Sequence, residues 1–150
     1  MSSKSDMKSR DNFFLDKDNF RIIDKLRIYY SILFIVSYGL TEIGRYVYRP
    51  FIYDNHINDF GIADSIGNSG GILAQIFFGL MIINPSKKRG IRLIAFFSFG
   101  YILYEIVQPF LPHGIFDWKD IYGTLLGGII GLIILLLLHW RVNNRVLKKF

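Results

Sequence analysis

The chain has no cysteine, and this absence excludes several kinds of chemistry at once. Disulfide bonds, thiolate nucleophiles, cysteine-ligated zinc, covalently attached haem and a lipoprotein anchor all require that side chain. Only four of the 150 residues are proline, and a glycine-rich phosphate loop of the Gly-x-Gly-x-x-Gly or Walker type is missing. A His-Glu-x-x-His motif is also absent, and we expect neither a metal nor a cofactor.

Hydrophobic residues, by contrast, make up 51% of the chain, and its mean hydropathy is +0.31. A single soluble domain of this length could not bury so much apolar surface, because its surface is large relative to its volume. The same composition excludes a disordered chain, a collagen-like repeat and a coiled coil. We therefore expect one all-α membrane domain.

Four apolar stretches are long enough to cross a bilayer, which takes roughly 20 residues. In hydrocarbon every backbone amide needs an internal partner, so each stretch must be a helix. The loops between them contain Pro, Gly, Asn or Asp, which favour turns. The predicted fold is a four-helix transmembrane bundle at residues 28–140, with spans at 28–48, 62–83, 91–108 and 120–140 and loops at 49–61, 84–90 and 109–119.

The two ends of the chain are predicted to be polar tails. Residues 1–27 lack the apolar core of a cleavable signal peptide and end in a short amphipathic helix at 19–27. Residues 141–150 form a basic tail after the fourth span.

The basic residues are concentrated on one side of the predicted membrane. Fifteen of the 18 Lys and Arg residues lie before the first span, between the second and third, or after the fourth. The other loops and span ends hold only Arg45, Arg49 and Lys119, with seven of the 12 acids. The positive-inside rule therefore predicts an inner-membrane protein with both termini in the cytoplasm. We expect its basic inner face to meet anionic lipid headgroups, and no motif supports nucleic-acid binding.

A short pattern occurs twice, which predicts two tandem helical hairpins. Phe60, Asp64, Gly67 and Gly71 have the same spacing as Phe116, Asp120, Gly123 and Gly127, with a uniform offset of 56 residues. Each half would contain two spans, so both halves would have the same orientation in the membrane. Such glycines let helices approach closely in lipid, and helix packing is the role we expect for Gly67, Gly71, Gly123, Gly127 and Gly131.

Glu105 is the most informative polar residue because it lies within the third predicted span, in or just below the outer interface of the membrane. Fourteen residues separate it from Ile91, which corresponds to roughly 20 Å of helix. A carboxylate at that depth is costly unless it is paired, is protonated or faces a polar cavity. Gln108 follows three residues later and shares its helix face. We expect these two residues to belong to a functional site.

Six further residues are expected to converge with them on a small polar cavity at the outer face: Glu42, Arg45, Asp64, Asn68, Asp117 and Asp120. Asp64 and Asp120 have a second explanation, since a carboxylate in a first helical turn caps exposed amides. Glu42 and Arg45 either pair with each other or reach a neighbouring helix. His113 and Asp117 have the spacing of metal ligands, but Gly114 interrupts the helix that they would share, and we expect no metal there.

Residues 105–131 resemble the closing signature of the VanZ-like membrane protein family. That signature contains Glu-x-x-Gln, a Pro-containing loop, and a helix that begins with Asp and carries Asn one turn later, followed by glycines. The matching residues here are Glu105, Gln108, Pro112, Phe116, Asp117, Asp120, Gly127 and Gly131. The loop Arg of the family is missing, and Thr124 stands where Asn is expected. In the first half, Asp64, Asn68 and Gly71 do have the spacing Asp-x-x-x-Asn-x-x-Gly.

The resemblance implies a small bacterial multi-pass protein of the cell envelope. The member that gives the family its name is associated with reduced susceptibility to the glycopeptide teicoplanin. The leading hypothesis is a polar site that recognises a lipid-linked or cell-wall headgroup, with Arg45, Arg49 or Lys119 replacing the missing Arg.

Three other functions stay open at this stage. An enzyme would use Glu105 as a general acid or base, although no nucleophile is identified. An accessory or scaffold subunit would pack against a larger membrane complex through its glycine faces. A small transporter would have to oligomerise, because four spans are few to enclose a path.

Overall fold

The computed structural model describes residues 17–112 and 114–147, and all regular secondary structure in that part of the chain is helical. The five α-helices are α1 (Lys17–Ile43), α2 (Arg49–Asp54), α3 (Ile62–Ile83), α4 (Lys87–Val107) and α5 (Trp118–Leu147). A π-helical turn at Gly44–Tyr48 joins α1 to α2, and a 3₁₀ turn at Gln108–Phe110 follows α4.

Four helical segments are long and apolar enough to cross a membrane: Lys25–Asp54, Ile62–Ile83, Lys87–Phe110 and Trp118–Val142. Their outward surfaces carry many exposed large apolar side chains, including Ile35, Leu40 and Phe96. Lipid tails would cover such a surface. The prediction of an all-helical fold with four helices long and apolar enough to span a membrane is therefore confirmed for the described residues.

The first span is longer than the sequence suggests. Pro50 is a turn signal, so the sequence assigns residues 49–61 to a loop, but the helix continues to Asp54. A proline inside an α-helix lacks an N–H donor and clashes with the carbonyl four residues earlier. Here the helix widens into the π turn just before Pro50, and the Arg49 N–H donates to the carbonyl of Gly44. The loop is thereby shortened to residues 55–61.

The other helix ends also extend past the apolar stretches. Helix α1 runs without a break from Lys17 through the predicted amphipathic segment, and α5 continues into the predicted basic tail as far as Leu147. Hydropathy marks only the part of a helix inside hydrocarbon, whereas charged residues at the interface continue the same helix. The remaining parts of the predicted tails, residues 1–16 and 148–150, lie outside the described residues.

Helices α3 and α5 lie side by side at the centre of the bundle and run in the same direction. Gly123 lies against Ser65, and Gly131 lies further along against Ile76. Helix α1 runs antiparallel to this pair, because Phe34 contacts Phe78 near the end of α3 and Arg45, later in the chain, lies against Gly67 near its start. Helix α4 does the same, because Phe97 lies against Gly79 and Glu105 accepts a hydrogen bond from Asn68. The start of α1, the end of α5 and the turn at residues 84–86 therefore lie at the same end of the bundle.

The apolar core fills that end, which we call the terminal end. Its buried members are Leu26, Tyr30, Ile72, Ile76, Phe77, Leu80, Ile94, Leu135 and Val142. Inside it, the hydroxyl of Tyr30 lies 3.3 Å from Nε2 of His139, which links α1 to α5. The opposite end holds residues 55–61, 108–112 and 114–117, and we call it the loop end. Most of the predicted site residues lie there.

Candidate functional site

Glu105 is buried between helices at the loop end, with only 3% of its surface exposed. Asn68 on α3 donates an amide hydrogen to Oε1 at 3.2 Å. The side-chain nitrogen of Gln108 donates to Oε2 at 2.7 Å and to the carbonyl of Ile115 at 3.0 Å. A buried carboxylate is costly unless its oxygens accept hydrogen bonds. Both oxygens of Glu105 do, so its charge has defined partners. We call Glu105, Asn68 and Gln108 the buried triad.

The loop after α4 covers the buried triad because Gly114 allows a close approach. The N–H of Gly114 donates to the carbonyl of Leu111 at 3.1 Å. A side chain at this position would overlap the backbone carbonyl of Gln108, so a residue larger than glycine could not lie here without a shift. The loop is thereby held against the end of α4, where the backbone carbonyl of Ile115 accepts a hydrogen bond from the Gln108 side-chain amide.

Asp64 forms a second polar centre that ties together three helices. Its Oδ2 accepts a hydrogen bond from Lys119 Nζ on α5 at 2.5 Å. Its Oδ1 accepts a hydrogen bond from the Tyr53 hydroxyl on α2 and lies 3.9 Å from an Arg49 guanidinium nitrogen. The hydrogen bonds and ion pairs of Asp64 are therefore made with side chains of two other helices. We call Asp64, Lys119, Arg49 and Tyr53 the ion-pair network.

The cap of α3 is supplied by another carboxylate, which the sequence analysis missed. Asp59 accepts hydrogen bonds from the Ala63 N–H at 2.6 Å and the Gly61 N–H at 3.0 Å, and from the Tyr48 hydroxyl at 3.3 Å. At the start of α5, Asp117 has the corresponding role and accepts from the Lys119 N–H at 2.9 Å. An Asp just before a helix is the signal that could have identified both residues as caps.

Asp120 interacts electrostatically with members of both the buried triad and the ion-pair network. These are Glu105 of the triad and Asp64, Lys119 and Arg49 of the network. Asp117 adds a further negative charge close to both Asp120 and Glu105. Glu105, Asp64, Asp117 and Asp120 thus interact at the loop end with the basic side chains of Lys119 and Arg49.

Glu42 and Arg45 are set apart from these two centres. Their charged atoms are 3.9 Å apart within the first span, and both side chains are partly exposed. The Arg45 guanidinium crosses to α3 and lies over Gly67. Both alternatives from the sequence thus occur together: the pair interacts, and Arg45 also reaches a neighbouring helix.

Thr124 is a buried polar residue whose importance the sequence analysis did not recognise. Its side chain is fully buried, and its hydroxyl has no hydrogen-bond partner in the described part of the chain. Gly127 and Gly128 lie one turn further along α5, where they face Ser69 on α3 and Ser98 on α4. Thr124 therefore points into the junction of α3, α4 and α5. An offset of 56 residues relates it to Asn68 of the buried triad.

The glycines named above have two kinds of surroundings. Gly123, Gly127 and Gly131 lie against α3, where a side chain at Gly127 would meet the carbonyl oxygen of Ser69. Gly67 and Gly71 instead lie beneath the ends of Arg45 and Tyr101. The α5 glycines thus contact α3 of the same chain, and this face of α5 is not available to a partner protein.

Groups of three or more His, Asp or Glu side chains that could hold a metal ion are not found within the described residues. His113 lies outside those residues. Comparison of the chain with models of protein families, with curated proteins and with solved structures finds no match. The candidate site therefore has to be interpreted from its own geometry.

Proposed function

We propose that this chain is a VanZ-like multi-pass protein of the bacterial inner membrane that binds a lipid-linked or cell-wall headgroup at its extracytoplasmic face. Through that ligand it influences susceptibility to glycopeptides such as teicoplanin. The observation that carries the proposal is the buried triad, with Glu105 held by Asn68 and Gln108 directly beside the ion-pair network. In this proposal the loop end faces outward.

The distribution of charge supports this orientation. The terminal end has exposed Lys87, Lys88 and Arg89 in the first turn of α4, and exposed Arg141 near the end of α5. Such a surface is attracted to the anionic lipids of a cytoplasmic leaflet. The loop end carries most of the acids of the described residues and would therefore lie outside.

The chemistry of the loop end supports headgroup binding. Lys119 and Arg49 can contact phosphate or carboxylate groups, and Asp120 can accept hydrogen bonds from amines or hydroxyls. Glu105 is buried, and its two oxygens accept hydrogen bonds from the side-chain amides of Asn68 and Gln108. Its role in the site is therefore to fix the positions of those two side chains. A ligand that carries both charged and hydroxyl groups matches this set.

The arrangement of the helices also supports two tandem hairpins. The equivalent helices α3 and α5 lie parallel at the same height, as an axis along the membrane normal requires. Asn68 and Thr124 occupy corresponding positions in the two halves. The site would then have arisen where two acidic half-sites meet, with only the first half retaining the Asn.

A phenotypic test compares three conservative substitutions at the loop end. Glu105→Gln and Asp120→Asn each remove one acid from the proposed site, and Asp54→Asn is the matched control on an exposed acid outside it. We expect the first two variants to lose the glycopeptide phenotype of the wild-type protein at equal membrane abundance, while the control keeps it. If both site variants behave like the wild type, the site is not functional.

A scaffold subunit or a small transporter remains the alternative to headgroup binding. The scaffold version loses its proposed surface, because the α5 glycines face α3. Co-purification with a stoichiometric partner that survives both site substitutions would favour it over headgroup binding.

A further inference from the structure

We infer that a lipid with an anionic headgroup binds in a groove on the side of the bundle, between α1 and α4. The lateral groove, as we call it, is lined by Glu42, Arg45, Gly67, Gly71, Gln75 and Tyr101. This inference rests on the proposed function and deepens it, because it names the class of ligand and its route from the bilayer.

The groove exists because α1 and α4 both pack against α3 but, within the described residues, not against each other. Its floor is formed by Gly67 and Gly71, which are four residues apart and share one face of α3. A side chain added at Gly67 would meet the Arg45 Nε at 3.4 Å. One added at Gly71 would meet only the Tyr101 hydroxyl, at 3.8 Å. Side chains from α1 and α4 therefore overhang the same glycine floor.

Polar groups continue along this floor to a depth where water is scarce. Gln75 lies 13 residues after Ile62, which places it roughly 20 Å along α3. It is exposed, and its Oε1 accepts a hydrogen bond from the Tyr101 hydroxyl at 2.9 Å. Exposed polar side chains at such depth are costly in hydrocarbon and commonly mark a pathway or a ligand site. A bound polar headgroup would solvate them.

Arg45 supplies the charge that selects the headgroup. Its side chain is 49% exposed, and Glu42 is a distant ionic neighbour at 3.9 Å. Arg45 also lies within electrostatic range of the Tyr101 hydroxyl across the groove. A guanidinium with free donors binds a phosphate group in a bidentate manner.

Below the polar part, the surface of the groove becomes apolar. Phe78 lies three residues after Gln75 on α3 and is 47% exposed. The centroids of the Phe78 and Phe34 rings are 5.3 Å apart. A molecule that lies in the groove would therefore place a charged group beside Arg45 and an apolar chain across Phe78. Since the groove opens toward the bilayer, a membrane lipid fits both requirements.

Photo-crosslinking can test this assignment on the full chain. The protein is reconstituted in phosphatidylcholine vesicles that contain a phosphatidylglycerol probe with a diazirine in its acyl chain, and crosslinked peptides are mapped by mass spectrometry. We expect crosslinks near Phe34 and Phe78. Arg45→Gln should lower their yield about tenfold, the loss of one charge-assisted hydrogen bond of roughly 1.5 kcal/mol, and Arg45→Lys should restore part of it.

A steric pair separates the groove from general lipid contact. Gly71→Leu fills the floor, and Gly39→Leu places the same side chain on a part of α1 where nothing lies within 4 Å. We expect only Gly71→Leu to reduce the crosslinks, again about tenfold. Equal yields from the two variants, or crosslinks confined to residues 84–92, would overturn the groove.

The outcome does not depend on the headgroup phenotype. If the crosslinks respond to Arg45 and Gly71 while Glu105→Gln keeps the phenotype, the lipid groove holds and the proposed function fails. If the phenotype is lost in Glu105→Gln while the crosslinks ignore Arg45 and Gly71, the groove fails and the proposed function holds.

Discussion

At the scale of single residues, two buried polar side chains at the loop end differ in whether their hydrogen-bonding groups have partners. Glu105 has an amide donor on each oxygen. Thr124 is equally buried, but its hydroxyl lacks a partner among the described residues. Burial of a hydrogen-bonding group is favourable only when the group is satisfied. The first residue therefore organises the site, and the second weakens the fold.

Replacement of Thr124 by valine should stabilise the protein. The Thr124→Val variant keeps the shape of the side chain and removes an unsatisfied hydroxyl, so we expect the free energy of unfolding to rise by about 1 kcal/mol. The matched control is Thr41→Val, because the Thr41 hydroxyl donates to the Ser37 carbonyl at 2.6 Å. We expect the control to lose stability by a similar amount. Denaturant unfolding in detergent micelles measures both, and a larger loss for Thr124→Val than for Thr41→Val would contradict the account.

Sequence reasoning found part of the site for identifiable reasons. The spacing of Glu105 and Gln108 places both on one helix face, and the structure joins them by a hydrogen bond. The role of Tyr53 could not be seen because the sequence placed it in a loop. Once the helix extends to Asp54, Arg49 and Tyr53 are one turn apart and both reach Asp64. The orphan hydroxyl of Thr124 depends on three-dimensional packing, for which the sequence has no signal.

At the scale of helices, α3 and α5 approach each other backbone to backbone. Gly123 and Gly127 follow one another at a spacing of four along the contact face, opposite the backbone of Ser65 and Ser69. A backbone carbonyl cannot move aside as a flexible side chain can. The parallel pairing of these helices therefore depends on the absence of side chains at both positions.

An alanine at Gly127 should separate α3 from α5. Its Cβ would overlap the Ser69 carbonyl, so we expect Gly127→Ala to lower the free energy of unfolding by about 1–3 kcal/mol. Gly39→Ala is the matched control, since nothing lies within 4 Å of a Cβ there and alanine favours a helix over glycine by up to about 1 kcal/mol. Unfolding in detergent should thus shift in opposite directions. Equal stabilities of the two variants would show that the close contact does not matter.

At the scale of the whole molecule, polar and apolar interactions are separated along the bundle axis. The apolar core and the exposed cluster of Lys87, Lys88 and Arg89 lie at the terminal end, and the buried triad and the ion-pair network lie at the loop end. The number of spans could be predicted because each one is a long apolar run with turn residues between. The order of helices around the bundle could not, because it depends on local contacts such as that between Gly127 and Ser69.

The orientation of the bundle in the membrane is the central claim, and thiol labelling tests it most directly. The chain has no native cysteine, so Asn55→Cys and Ser86→Cys each introduce a single thiol, one at the loop end and one at the terminal end. Intact cells are treated with a membrane-impermeant maleimide, before and after permeabilisation. The account predicts that the thiol at position 55 reacts in intact cells and that the thiol at position 86 reacts only after permeabilisation. Labelling of position 86 in intact cells, with position 55 protected, would contradict it.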